Sequence, residues 1–213
     1  MHAYHVSPHP PDAHYTAGML THPPLYLAST SPYRADLLRR LGLSFRTAQP
    51  NCDEQPEAGE SARSLVERLA RTKAASVAGE HPDGLIIGSD QVAETDGEIL
   101  GKPGSFERAQ TQLQRLSGRR VTFLTGLCLY DARSGDNQCV VEPFDVVFRT
   151  LSANQIERYL WKEKPFDCAG SFKSEGLGIA LFERFEGQDP TTLIGLPLMA
   201  LVRLLAHVGV DVP

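Results

Sequence analysis

The run Leu25-Tyr26-Leu27-Ala28-Ser29-Thr30-Ser31-Pro32-Tyr33-Arg34 constrains this chain more than any other segment. An apolar, strand-like stretch breaks into three hydroxyl residues, then proline, an aromatic residue and an arginine, and the amphipathic pattern of Leu37, Leu38 and Leu41 follows. Proline suits the first helical position, where its missing N–H would find no partner in any case. Ser31 is then the natural N-cap. The segment predicts a strand, a hydroxyl-rich turn and a helix N-terminus carrying an arginine, an arrangement that offers N–H groups and positive charge to an anion such as phosphate. It also describes an ordinary capped strand-to-helix junction, so the decision between the two falls to other segments.

Strand-like and helix-like segments alternate along the rest of the chain, which predicts a mixed α/β fold. A short strand is expected at 44–48, a polar loop at 50–60 and a helix at about 61–78. A strand at 85–88 leads into a hairpin turning at Asp96-Gly97. A helix over 105–116 stops at Ser117-Gly118. Two long strand-like runs, 121–130 and 138–149, flank a turn-rich loop. Ser152 caps a helix to about 162, and a glycine-rich piece (170–178) and a helix over 193–207 close the domain.

A chain of 213 residues can bury one sizeable core. Residues 1–24 hold five of the seven histidines and five of the fifteen prolines without an apolar signal core, so they are expected to form a disordered extension, with Met19 a candidate start. The folded domain is expected over 25–213. The net charge of -5 argues against a general nucleic-acid binder. A single nucleotide needs only a few local cations. No apolar run reaches the length of a membrane span. Cys52, Cys128, Cys139 and Cys168 lie far apart, with no C-x-x-C; neither zinc spacing nor a disulfide framework is readable, which points to a reducing, cytoplasmic setting.

Two segments tip the first one toward chemistry. In Leu85-Ile86-Ile87-Gly88-Ser89-Asp90-Gln91-Val92 a buried-type strand ends in Gly-Ser and delivers a carboxylate, and Lys102 follows in Leu100-Gly101-Lys102-Pro103. Lys73 stands out on the helical wheel: with Leu65 at zero and about 100° per residue, Val66, Leu69, Ala70 and Val77 fall within ~140° and Lys73 near ~80°. A lysine inside an apolar stripe either snorkels outward or reaches a buried anion.

With Cys168-Ala169-Gly170-Ser171-Phe172-Lys173-Ser174-Glu175-Gly176 and Gly195-Leu196-Pro197-Leu198, these motifs in this order resemble the Maf family of nucleoside triphosphate pyrophosphatases, from about residue 25 to 207. The resemblance implies an elongated central sheet flanked by helices, with two lobes around a deep nucleotide cleft. It implies that Ser29, Ser31 and Arg34 bind phosphate, that Lys73 and Lys102 hold the triphosphate, and that Asp90 is the proton acceptor. Glu54, in Asn51-Cys52-Asp53-Glu54, matches the acid ending a V-D-E-like motif and, with Asp90, would hold a divalent cation, magnesium or manganese. Whether Asp90 acts as base or metal ligand stays open. Asp53, Glu57 and Glu60 read as solvated loop acids.

Three positions separate substrate classes within the family: Tyr33, Gln91 and Glu175 here. This set resembles the branch acting on 7-methylguanosine triphosphate, in which tryptophan commonly stands where Tyr33 does. The alternatives are a Maf enzyme for thymidine or uridine triphosphate or other modified nucleotides, and a non-enzymatic regulator of septum formation. The resemblance allows a homodimer; no sequence pattern demonstrates one.

Overall fold

The computed structural model describes residues 22–174 and 176–212. The expectations for the N-terminal extension, for Met19 and for Glu175 concern residues outside that set, apart from His22, Pro23 and Pro24.

Seven strands form one mixed sheet in the order β2-β1-β3-β5-β6-β7, with β4 paired to β3. β1 (Leu25–Ala28) lies parallel to both β2 (Phe45–Ala48) and β3 (Leu85–Thr95). Every other pairing is antiparallel: β3 with β4 (Glu98–Leu100) and β5 (Arg120–Asp131), β5 with β6 (Asn137–Phe148), and β6 with β7 (Phe182–Glu186). The strand expected at 85–88 therefore runs on to Thr95, because ten consecutive residues of β3 pair with β5. Asp90 sits inside the strand, not beyond its end. The hairpin at Asp96-Gly97 is present, with both residues at positive φ (52° and 77°), as a tight two-residue turn requires.

Helices cover both faces. α1 (Pro32–Arg39) and α6 (Leu198–His207) bury Leu37, Leu38, Leu201 and Leu205 against Leu25, Leu27, Leu85 and Ile87. α2 (Ala62–Ser76) lies on the opposite face, where Ala74 meets Ile86 and Val66 meets Leu124. Further along the sheet, α3 (Phe106–Leu116) and α4 (Ala153–Glu163) enclose a second large core around Phe123, Phe144, Phe148 and Phe172. The two core regions occupy different stretches of the same long strands.

Two elements depart from the expected layout. The helix expected over 193–207 is split into α5 (Thr191–Ile194) and α6, because Gly195 is left-handed at φ 112° and Pro197 cannot donate to a continuing helix. β7 went unread because a register shift at Val147/Phe148 breaks the alternation that marks a strand. One cysteine pairing that the spacing left unreadable is present. Cys128 and Cys139 stand opposite each other on β5 and β6, 4.1 Å apart at Cα, and are joined as a disulfide. Positions eleven apart in sequence become neighbours only through the hairpin register.

Candidate active site

β1 ends its pairing with β3 at Ala28–Gly88, and β4 begins at Leu100–Ala93. Residues 89–92 of β3 therefore have a partner strand on the β5 side alone. A cavity of about 610 Å³ lies along this gap. The Ser29-Thr30-Ser31 turn that leaves β1 lines one side of it, and Gly101-Lys102, which leaves β4, lines another. Successive strand side chains point to opposite faces, so Asp90 looks toward α2 and Gln91 toward α5. At an edge both still reach the same space.

Asp90 and Lys73 meet in that space. Lys73 Nζ lies 2.6 Å from Asp90 Oδ1 and 3.0 Å from Glu54 Oε1, with the Lys73 and Asp90 side chains 7% and 11% exposed and Glu54 60% exposed. The lysine on the apolar stripe thus reaches a buried anion, and that anion is a protein carboxylate. Two glycines make this approach possible. A Cβ at Gly88 would fall 2.0 Å from the Ala70 carbonyl oxygen, and one at Gly126 would fall 2.1 Å from that of Val66. α2 rests its backbone on the sheet at those two points.

The hydroxyl-rich turn and the helix cap are built as the sequence implies. Ser31 caps α1 by accepting from the Arg34 amide, and Ser29 Oγ accepts from the Ser31 amide. Arg34 Nε donates to the Gly195 carbonyl at 2.9 Å, and Ser89 Oγ lies 2.9 Å from the same oxygen and from that of Gly126. One peptide group therefore ties the arginine of α1 to the strand carrying Asp90. Burial lowers the Arg34 pKa from its ordinary value, while Asp90 and Glu54 act to raise it.

Residues 24–208 match the family model described as Maf-like protein. The chain is also 58% identical over 188 residues to a 7-methyl-GTP pyrophosphatase of Pseudoalteromonas atlantica, covering 88% of this chain and 96% of that one. The chain belongs to the Maf family.

In this Maf protein Ser29, Ser31, Tyr33, Arg34, Glu54, Lys73, Asp90, Gln91 and Lys102 all line the one cavity. Lys102 makes no ion pair among the described residues, so its ammonium is available to a ligand. Cys52, beside this cluster, has a thiol pKa raised by burial and by Glu54, Asp90 and Asp53, against the opposing effect of Lys73. A thiol held protonated is no nucleophile.

Sequence reasoning missed three contributors. Gly195 was noted only as part of a motif; its left-handed backbone aims the carbonyl at Arg34 and Ser89. Lys173 lines the same cavity as Tyr33 and sits 3.8 Å from Asp167. Burial works to lower its pKa, but Asp167, Cys168 and Tyr33 outweigh that and raise it. Glu60, read as a solvated acid, has a side chain only 7% exposed and grips Arg68 at 2.7 Å. Arg68 also donates to the Gln55 carbonyl and approaches Glu57, so the loop bearing Glu54 is fastened to α2. A lone carboxylate in a polar loop carries no sign of such a partner eight residues on.

Proposed function

We propose that this Maf protein is a nucleoside triphosphate pyrophosphatase that converts 7-methylguanosine triphosphate and water to 7-methylguanosine monophosphate and diphosphate, removing a non-standard nucleotide. The observation that carries the reading is the Lys73–Asp90–Glu54 cluster in the β3 gap, beside a hydroxyl-rich turn and Arg34. The name of the Pseudoalteromonas atlantica relative supports the same substrate.

Hydrolysis at the α-phosphorus is promoted chiefly by positioning and charge neutralisation. Arg34, Lys73 and Lys102 supply three cations for the triphosphate oxygens and the departing diphosphate. Asp90 orients the attacking water and accepts its proton, while Lys73 holds the carboxylate in place. Glu54 completes the ring of charge around Lys73. Two carboxylates brought this close together would also suit a divalent cation such as magnesium or manganese. Glu54 and Asp90 would hold it, and when bound it would neutralise phosphate charge. At the base end, the Tyr33 ring can stack on the cationic methylated purine. Glu175, one residue past the cavity-lining Ser174, would counter its charge.

Hydrolysis in oxygen-18 water with magnesium, using 7-methylguanosine triphosphate, GTP, UTP and thymidine triphosphate, tests the reading. The expected result is preferred cleavage of the methylated nucleotide, with the label in the monophosphate. A preference for the pyrimidine nucleotides would overturn the substrate while retaining the reaction. Absence of turnover with either metal would favour the regulatory alternative.

A further inference from the structure

Gln91 stands directly opposite Thr125 in the β3–β5 register, and its amide nitrogen is fully committed. Gln91 Nε2 donates to Thr192 O at 2.7 Å and to Thr125 Oγ1 at 2.9 Å, with Leu193 O at 3.3 Å. Backbone carbonyls accept and cannot donate, so the side of the amide facing α5 has to be the NH₂ group. Thr125, wholly buried, reinforces this: its hydroxyl proton goes to Thr192 O at 3.0 Å, leaving a lone pair toward Gln91. Both amide hydrogens are consumed, and a flip would set the Gln91 oxygen against two carbonyls.

The other end of the amide is consequently fixed as well. Gln91 lines the cavity, its Oε1 has no partner among the described residues, and none of the buried side-chain oxygens or nitrogens there lacks a partner. Oε1 therefore lies open to the cavity. We infer that Gln91 is a locked hydrogen-bond acceptor for the nucleobase, reading a ring N–H donor on its pairing edge, with the α5 carbonyls setting the polarity and Thr125 the positioning residue that holds the amide against them. The substrate class it admits is a base whose pairing-edge ring nitrogen carries a hydrogen, such as guanine with N1–H. An adenine-type edge, with a lone pair at N1, is repelled. The choice of guanine rests on the function proposed above; the polarity does not.

Steady-state kinetics with 7-methylguanosine and 7-methyladenosine triphosphates tests this, because the two share ring charge, methyl group and triphosphate. The wild-type protein is expected to prefer the guanine form by about a hundredfold or more in kcat/KM. Thr125→Val should compress that preference about tenfold, through a raised KM for the guanine form with kcat within about twofold, since an amide that has lost one of its hydrogen bonds is aimed less firmly at the base. Thr125→Ser restores the hydroxyl and should retain the wild-type preference. An unchanged preference in Thr125→Val, or an equal loss of kcat on both substrates, overturns the inference. If neither methylated purine is turned over, the substrate reading fails and the polarity is read on pyrimidines. UTP, with an N3–H donor, should then be preferred over CTP, and preference for CTP overturns it.

Discussion

Gly126 stands opposite Asp90 in the β3–β5 register, and its missing side chain is part of what lets α2 place Lys73 2.6 Å from that carboxylate. Any Cβ there would enter the Val66 carbonyl, and the same holds at Gly88 against Ala70. Gly88→Ala and Gly126→Ala should each cost about 1–3 kcal/mol or more by overpacking. For a chain of this size that is a fall of roughly 3–10 °C in Tm. Gly79→Ala, where a Cβ meets nothing within 4 Å, is the control and should leave Tm unchanged or slightly raised. Equal melting of all three would refute the close approach of α2.

Lys73 and Asp90 act as a unit, so their losses should not add. Asp90→Asn and Lys73→Met are each expected to lower kcat by about 10²–10⁴-fold. The double variant should be little worse than either alone. A double variant whose loss is the product of the two single losses would mean that the residues act independently.

Acid should loosen the Glu54 loop. Its hydrogen bond with Arg68, aided by a backbone hydrogen bond with Glu57, holds the Glu60 carboxyl down at about 2. The unfolded value is about 4.3. A carboxyl whose folded pKa is depressed contributes stability above the unfolded value and loses it as pH falls through the folded one. Between about pH 5 and pH 2, Tm should therefore fall less steeply in Glu60→Gln than in the wild-type protein. At neutral pH the same variant should lose kcat/KM through a displaced Glu54. Parallel Tm–pH curves would count against the fastening.

Tyr33 contributes a ring and a hydroxyl, and the two can be separated. Tyr33→Phe removes only the hydroxyl, which acts on the Lys173 ammonium, and should keep KM for 7-methylguanosine triphosphate within about threefold. Tyr33→Leu removes the stacking face, worth roughly 0.5–2 kcal/mol, and should weaken the methylated base more than GTP. An equal effect on both nucleotides would assign Tyr33 to loop packing.

Local pattern carried much of the fold. The Ser31-Pro32 cap, the Asp96-Gly97 turn and the Ser152 capping box, closed by Gln155, are each written in a few adjacent residues. Lys73 was conspicuous because a charge on an apolar helical stripe conflicts with its surroundings. What no window of adjacent residues contains is register. Register carries β3 past Gly88 to Thr95, sets Gly126 beside Asp90, and joins Cys128 to Cys139.

The amino-acid sequence by itself determined the α/β alternation, the capped helix N-terminus after β1 and the identity of the charged and hydroxyl groups that line the cavity. Those depend on backbone preferences and side-chain chemistry, which act over a few residues. Tertiary structure alone decided that β1 stops and β4 starts on either side of residues 89–92, opening a gap where side chains from both sheet faces meet. It also decided that the Gly195 carbonyl links Arg34 to Ser89, and that the Thr192 carbonyl, with Thr125 beside it, chooses which end of the Gln91 amide faces the cavity. These are contacts between segments 34 to 161 residues apart, and only the packed sheet brings them within hydrogen-bonding distance.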